Sequence, residues 1–202
     1  MKMTAAGFAV LREAFGYLTK DQVSQIELIV GEIDADKSIS YPQGAYILAS
    51  VWHETGGKMQ PVPEIGKGRT RAYGKWFKNS KGELYGWKNG AKREAYLQSE
   101  CPHLFYGRGL PQLTWYDNYK KASENLGVDF VNNPELALDM KLSTRILIVG
   151  MKEGWFTGHT LARHINQSKK DYKNARRIIN GTDRAEHIAG IAGIFERALR
   201  KP

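Results

Sequence analysis

Cys101 is the only cysteine in 202 residues, so no intrachain disulfide can form and stability must come from packing. No Cys/His cluster has zinc-ligand spacing, and no metal or organic cofactor is expected. Long apolar runs are missing too. The run from Ala5 to Leu11 is cut at Arg12 and Glu13, too short to span a bilayer, and no small-residue cleavage pattern follows. The expectation is a chain made in the cytosol without an export signal of its own. Neither G-x-x-x-x-G-K-[ST] nor G-x-G-x-x-G occurs, so no nucleotide cradle is signalled. Internal repeats and low-complexity stretches are absent.

What is present describes an ordinary globular protein: 42% apolar, 11% aromatic and 25% charged residues, with a length suited to one domain. Thirty Lys and Arg against twenty-one Asp and Glu leave a net charge of +9. Such a field attracts polyanions, whether nucleic acid, anionic membrane or bacterial cell wall, and does not choose among them.

Phe8, Leu11, Phe15 and Leu18 recur at helical spacing, as do Val23, Ile26, Val30 and Ile33 after a fresh start at Thr19 to Asp21. Tyr41-Pro42-Gln43 opens a third helix, with proline in its tolerated first turn, and Thr55-Gly56-Gly57 ends it. Residues 58–106 change character, with six glycines, three prolines and eight aromatics. They predict a loop-rich lobe with a hairpin near Asn79 to Gly82; Lys88 to Glu100 is its one stretch with any helical period. Helices return at Thr114 to Leu126 and after Asn133-Pro134-Glu135, where Asn is placed to cap. The last helix starts at Thr182 to Glu186, with Asp183 and Glu186 spaced as a capping box. Its stripe of Ile188, Ile191, Ala192, Phe195 and Leu199 predicts core packing, so membrane contact through this helix is expected to be weak at most.

Three segments carry candidate chemistry. His53-Glu54-Thr55-Gly56-Gly57 lacks the second histidine of the zinc motif H-E-x-x-H. What remains is a carboxyl at the negative end of a helix beside Val51 and Trp52, surroundings that favour a retained proton. Cleavage of a glycosidic bond needs such an acid, because the leaving sugar oxygen must be protonated. A second carboxylate is then required, and Glu64 and Glu83 are the candidates. In Tyr106-Gly107-Arg108-Gly109-Leu110-Pro111-Gln112-Leu113-Thr114-Trp115, glycines allow close backbone approach, Gln112 and Thr114 offer hydrogen bonds, and Trp115 and Tyr119 offer flat faces for sugar rings. In Arg176-Arg177-Ile178-Ile179-Asn180-Gly181, the Asn180 amide either meets an N-acetyl group or sits in a turn.

H-E-T-G-G, Y-G-R-G-L-P-Q-L-T-W-Y-D-N-Y, N-P-E-L-A-L-D and R-I-I-N-G-T-D, in this order, resemble the family-19 glycoside hydrolases, the chitinase-like group of the lysozyme superfamily. The likeness runs from Thr4 to Leu199 and is closest to the phage and prophage endolysin branch. It implies a mainly α, lysozyme-like α+β fold: a single catalytic domain over 1–202, its loop-rich lobe flanking a catalytic cleft, with no separate wall-binding domain. It implies Glu54 as general acid and Glu64 as base, with Thr114 helping to hold the attacking water, and inversion at the sugar carbon. Glu83 stays open as the alternative base. Tyr106, Arg108, Gln112, Trp115, Asn118 and Asn180 are the implied substrate-binding residues. The implied activity is that of a muramidase cutting the β-1,4 bond between N-acetylmuramic acid and N-acetylglucosamine in peptidoglycan. The expected protein is a monomer that binds no nucleic acid and reaches the periplasmic wall once a holin-type protein opens the membrane. A chitinase, or a basic wall-binding protein without catalysis, is the alternative. The segment from Arg69 to Leu104 is long for the endolysin branch.

Overall fold

The computed structural model describes residues 1–91 and 94–202; Lys92 and Arg93, inside the segment read as weakly helical, lie outside the described residues. Among the described residues no helix is long and apolar enough to cross a membrane. The chain divides into two compact units, Met1–Gln60 with Leu147–Pro202, and Pro61–Ile146.

The first unit is helical, and its helices start where short polar side chains can satisfy free backbone N–H groups. Helix α1 (Ala5–Phe15) is capped by Thr4, whose hydroxyl accepts from Gly7 N, and ends at Gly16 with φ of 82°. Helices α2 (Lys20–Ala35) and α3 (Tyr41–Glu54) each begin with a full capping box, Thr19 with Gln22 and Ser40 with Gln43. Every residue of α3 from Gly44 to Val51 is buried. Its main partner is α8 (Ala185–Leu199), which also packs on α1. The α1–α8 approach is close enough that a Cβ on Gly7 would meet the Ala198 carbonyl at 2.6 Å. Phe15 stacks on Trp52 at 4.2 Å between centroids, and Phe195 meets both rings. Two short helices, α6 (Leu161–His164) and α7 (Tyr172–Ala175), and a 3-10 turn at Arg176–Ile178 complete the unit.

Among its described residues the second unit carries two small antiparallel sheets. Strand β1 (Val62–Pro63) pairs with β5 (Arg108–Gly109), and β2 (Phe77–Lys78), β3 (Leu84–Trp87) and β4 (Ala95–Leu97) form a meander. The hairpin expected near Asn79 to Gly82 is the β2–β3 turn, where the Asn79 side chain accepts from the backbone N–H of Lys81 and Glu83. Helix α4 (Tyr116–Leu126) also belongs here, as does the first half of α5 (Met140–Glu153). The unit therefore takes in more chain than the 58–106 lobe expected from composition. Phe105, Tyr119 and Phe130 are buried in it, and so is Cys101, whose thiol pKa burial raises.

Three local expectations are corrected. Part of Lys88 to Glu100 forms strand β4, because Tyr96 reaches inward to stack on Tyr116 while Ala95 and Leu97 pair with β3. Asn133 makes no side-chain cap. Residues 134–138 form a 3-10 turn, and α5 starts afresh where Asp139 Oδ1 accepts from Leu142 N. The capping box at α8 does not form: Arg184 holds the cap position at φ of 54°, Glu186 pairs with Lys173, and the Asp183 carbonyl accepts from Arg176 Nε.

Phe195 is fully buried against Phe15 and Trp52. Phe195→Ala is therefore expected to cost about 3–5 kcal/mol of stability, read as a lower midpoint in chemical denaturation at unchanged slope.

Candidate active site

Helix α3 ends at the candidate acid. Thr55 closes it: its hydroxyl donates to the Val51 carbonyl at 2.7 Å and accepts from Met59 N at 2.9 Å, pulling the chain round. Gly56 and Gly57 then adopt positive φ, which only glycine takes without strain, and Gly57 returns an N–H to the Trp52 carbonyl at 2.7 Å. Gln22 of α2 fixes this exit by donating to the Gly57 carbonyl at 2.8 Å. Glu54 thus projects from the last turn of a rigid helix, with 26% of its side chain exposed.

The apolar surroundings expected for Glu54 are replaced by a cation. Arg176, 4% exposed, pairs through Nη1 with Glu54 Oε1, while its Nε donates to the Asp183 carbonyl at 3.1 Å. One carboxylate oxygen is held in this way, and Oε2 has no hydrogen-bond partner among the described residues. Beside it, His53 has a pKa below its ordinary value; burial is the main cause, and Arg176, His187 and Arg184 add to it against the opposing pull of Glu54. Tyr46, buried on the same helix, has a pKa pushed far up by desolvation. Arg176 is the residue that sequence reasoning missed as a partner of Glu54. Its only local signal is a basic pair in a turn, 122 residues away along the chain.

Glu64 belongs to the second unit and follows β1. Its backbone N–H donates to the Gly107 carbonyl at 2.7 Å, extending the β1–β5 pairing by one residue. Its carboxylate accepts from Tyr73 Oη at 2.9 Å and Gly107 N at 3.1 Å, so both oxygens are engaged. Burial pushes the Tyr73 hydroxyl up to about 12, with the bond to Glu64 and its charge adding to the shift. The loop is tight: a Cβ at Gly107 would meet Gln112 Oε1 at 2.8 Å, and one at Gly68 would meet the Tyr73 ring at 2.6 Å. Gly66, Lys67, Arg69, Gly74, Leu104 and Tyr106 line a depression of about 470 Å³ in this unit. Glu83, the alternative base, is exposed in the β2–β3 turn, where its carboxylate accepts from the Asn79 amide at 2.9 Å.

The 106–119 segment is built around Arg108. This side chain is 3% exposed; its guanidinium lies 3.6 Å from the Tyr106 ring centroid and donates to Glu135, Tyr119 Oη and the carbonyls of Leu104 and Tyr106. Burial opposes its charge, but Tyr119 and Glu135 outweigh that and hold its pKa above the ordinary value. Arg108 thus works inside the fold, its donors engaged by protein acceptors. Tyr119 is core as well. Gln112, at φ of 53°, donates its amide to the carbonyls of Val62 and Gly109 at 2.8 and 3.0 Å, clamping β1 to β5. The Asn118 amide donates to the Thr114 carbonyl at 2.8 Å. Thr114 and Trp115 are half-buried, and the Trp115 ring meets Tyr73 edge-on at 5.1 Å. Glu64, Tyr73, Tyr106, Gln112, Thr114 and Trp115 therefore share one unit. Asn180 sits in the first unit, exposed, its side-chain oxygen accepting from Gly181 N in a turn. Among the described residues, no group of three or more His, Cys, Asp or Glu side chains is arranged to hold a metal ion.

The family model for chitinase class I, glycoside hydrolase family 19, matches residues 30–156. No curated protein sequence matches the chain. Among solved structures, a bacterial family 19 chitinase superposes with a TM-score of 0.61 at 20% identity, over 96% of this chain and 94% of that one. Chitinase C from Streptomyces griseus gives 0.60 at 19%, over 97% and 78%, and a class IV chitinase from Zea mays gives 0.52 at 18%, over 97% and 91%. The chain belongs to glycoside hydrolase family 19 and has its mainly α, lysozyme-like fold. It is a glycoside hydrolase acting on β-1,4-linked glycans.

Arg108→Lys keeps the charge but loses the planar fork and the stacking on Tyr106. It is expected to lower stability by about 1–3 kcal/mol, the cost of buried acceptors left unpaired, measured by urea unfolding.

Proposed function

We propose that the protein is an endolysin-type muramidase, hydrolysing the β-1,4 bond between N-acetylmuramic acid and N-acetylglucosamine, with Glu54 as the general acid. The observation that carries the catalytic assignment is the fixed carboxyl of Glu54 at the end of the enclosed helix α3, with one oxygen held by Arg176 and the other without a partner among the described residues. With Oε1 held by the guanidinium, the carboxyl has a fixed orientation, and Oε2 is the oxygen that carries the proton to the leaving sugar. Glu64 is the base that activates water, and Thr114 helps to orient that water through its hydroxyl. Tyr73 and Gly107 keep the Glu64 carboxylate in one position, as a catalytic base requires. Tyr106, Trp115 and Asn118 are proposed to meet the glycan, with Gln112 and Arg108 shaping the backbone beneath them and Asn180 contributing from its turn.

The net charge of +9 supports peptidoglycan as substrate, because wall glycans are anionic and chitin is not. In this reading the enzyme is made in a host cytoplasm, is released to the wall by a holin-type protein, works as a monomer and takes no nucleic acid. The chitinase alternative rests on the family itself and on neighbours that are chitinases.

Glu54→Gln should fold normally and lose at least about a hundredfold in turbidity clearance of purified sacculi, as expected for removal of a general acid. Near wild-type rates would sink the assignment. Mass spectrometry of fragments released from peptidoglycan, run beside chitin oligomers, names the bond: N-acetylmuramic acid at the new reducing end supports the muramidase, whereas cleavage of chitin alone establishes the chitinase.

A further inference from the structure

The first unit holds a basic pocket with no role in the chemistry above. It has a volume of about 450 Å³ and is lined by His159, Arg163, His164, Lys169, Asn174 and Arg177. Its walls are fixed by local bonds. Thr157 Oγ1 donates to the carbonyls of Arg177 and Ile178 and accepts from His159 N, and Thr160 caps α6 by accepting from Arg163 N at 3.2 Å. The two histidine rings stack 7° from parallel, with His159 Nδ1 2.8 Å from His164 Nε2. Such a bond needs one donor and one acceptor nitrogen, so the two rings cannot both be charged while it holds. Burial is the first cause that lowers both pKa values; Arg163 and Arg177 add to it at His159, and His159, Lys169 and Arg163 at His164, against the opposing pull of Asp171. His164 Nδ1 is buried without a partner.

The charge of the pocket is therefore set by its longer side chains. Lys169 pairs with Asp171 at 3.2 Å, and that carboxylate also accepts from the Asn174 backbone and amide. Arg163 and Arg177 have no carboxylate partner among the described residues, although both line the same space. Two guanidiniums facing one polar pocket form a receptor for carboxylate, which each can grip with two parallel N–H donors. Position narrows the ligand further. Arg176 and Arg177 are neighbours in one 3-10 turn, and the first holds Glu54 while the second lines the pocket. One turn of the first unit thus ties the pocket to the candidate acid.

We propose that the pocket binds the carboxylates of the peptide stems carried by peptidoglycan strands, and so selects peptide-substituted glycan over neutral N-acetylglucosamine polymers. The proposal rests on the muramidase reading for its ligand, and the test separates the two. Binding of a soluble disaccharide-tetrapeptide and of neutral chitotetraose would be measured by calorimetry, with wild type, Arg163→Gln/Arg177→Gln and Arg163→Lys/Arg177→Lys, each in a Glu54→Gln background that prevents cleavage. The glutamine pair should weaken muropeptide binding at least about tenfold, as for the loss of a charge-assisted hydrogen bond, with chitotetraose within about twofold and the lysine pair intermediate. Muropeptide affinity unchanged by the glutamine pair, or both ligands weakened alike, overturns the proposal. Cleavage of sacculi by the enzyme with Glu54 intact is scored separately: a protein that cuts only chitin oligomers fails as a muramidase, while the binding comparison still decides the pocket.

Discussion

Burial of α3 from Gly44 to Val51 is the constraint on which the first unit depends. A helix enclosed on every side cannot rotate or slide without exposing apolar surface or opening voids, each at a cost of kilocalories. Its final residue is therefore placed by the whole unit. The capping box at Ser40 fixes where the helix starts, Thr55 and the two glycines fix where it stops, and Phe15, Trp52 and Phe195 fix its rotation. Glu54 inherits that rigidity, and in the proposed role of acid it gains from having few other places to be.

Each unit then places one buried arginine near one carboxylate of interest. In the first unit Arg176 contacts Glu54 directly. In the second, Arg108 organises the 104–108 backbone from beneath, and the residue just before it, Gly107, donates its N–H to Glu64. The two arginines solve the burial problem by different means. Arg176 is matched by a carboxylate and a carbonyl, whereas Arg108 lies over an aromatic face and distributes its donors among a carboxylate, a phenol and two carbonyls. A lysine, with one point charge and no plane, suits neither place.

The parts of this design readable from sequence are those governed by neighbours in the chain. Helix α3 could be placed from Pro42, the apolar stripes and the paired glycines, and the β2–β3 hairpin from Asn79 to Gly82. The H-E-T-G-G and Y-G-R-G-L-P-Q-L-T-W segments were enough to indicate the family. What local pattern could not supply was pairing across distance. Nothing near residue 176 announces that its side chain reaches Glu54, and nothing near Arg108 announces Glu135. Strand β4 was missed because three residues hold too few alternations to outweigh the polar stretch around them. The capping box at α8 was misread because Glu186 has a lysine to pair with and the Asp183 carbonyl serves Arg176.

Cys101 gives the second unit a built-in reporter. It is the only thiol in the chain, and it is buried in that unit with its Sγ 4.0 Å from the Val131 carbonyl. A modifying reagent reaches it only when the surrounding structure opens, and the thiolate that reacts is further suppressed while the group stays desolvated. The rate at which a thiol reagent labels the native protein therefore measures how often the surroundings of Cys101 in the 61–146 unit open. Opening of one half of the molecule can be followed in the unmodified sequence, without a label having to be engineered in.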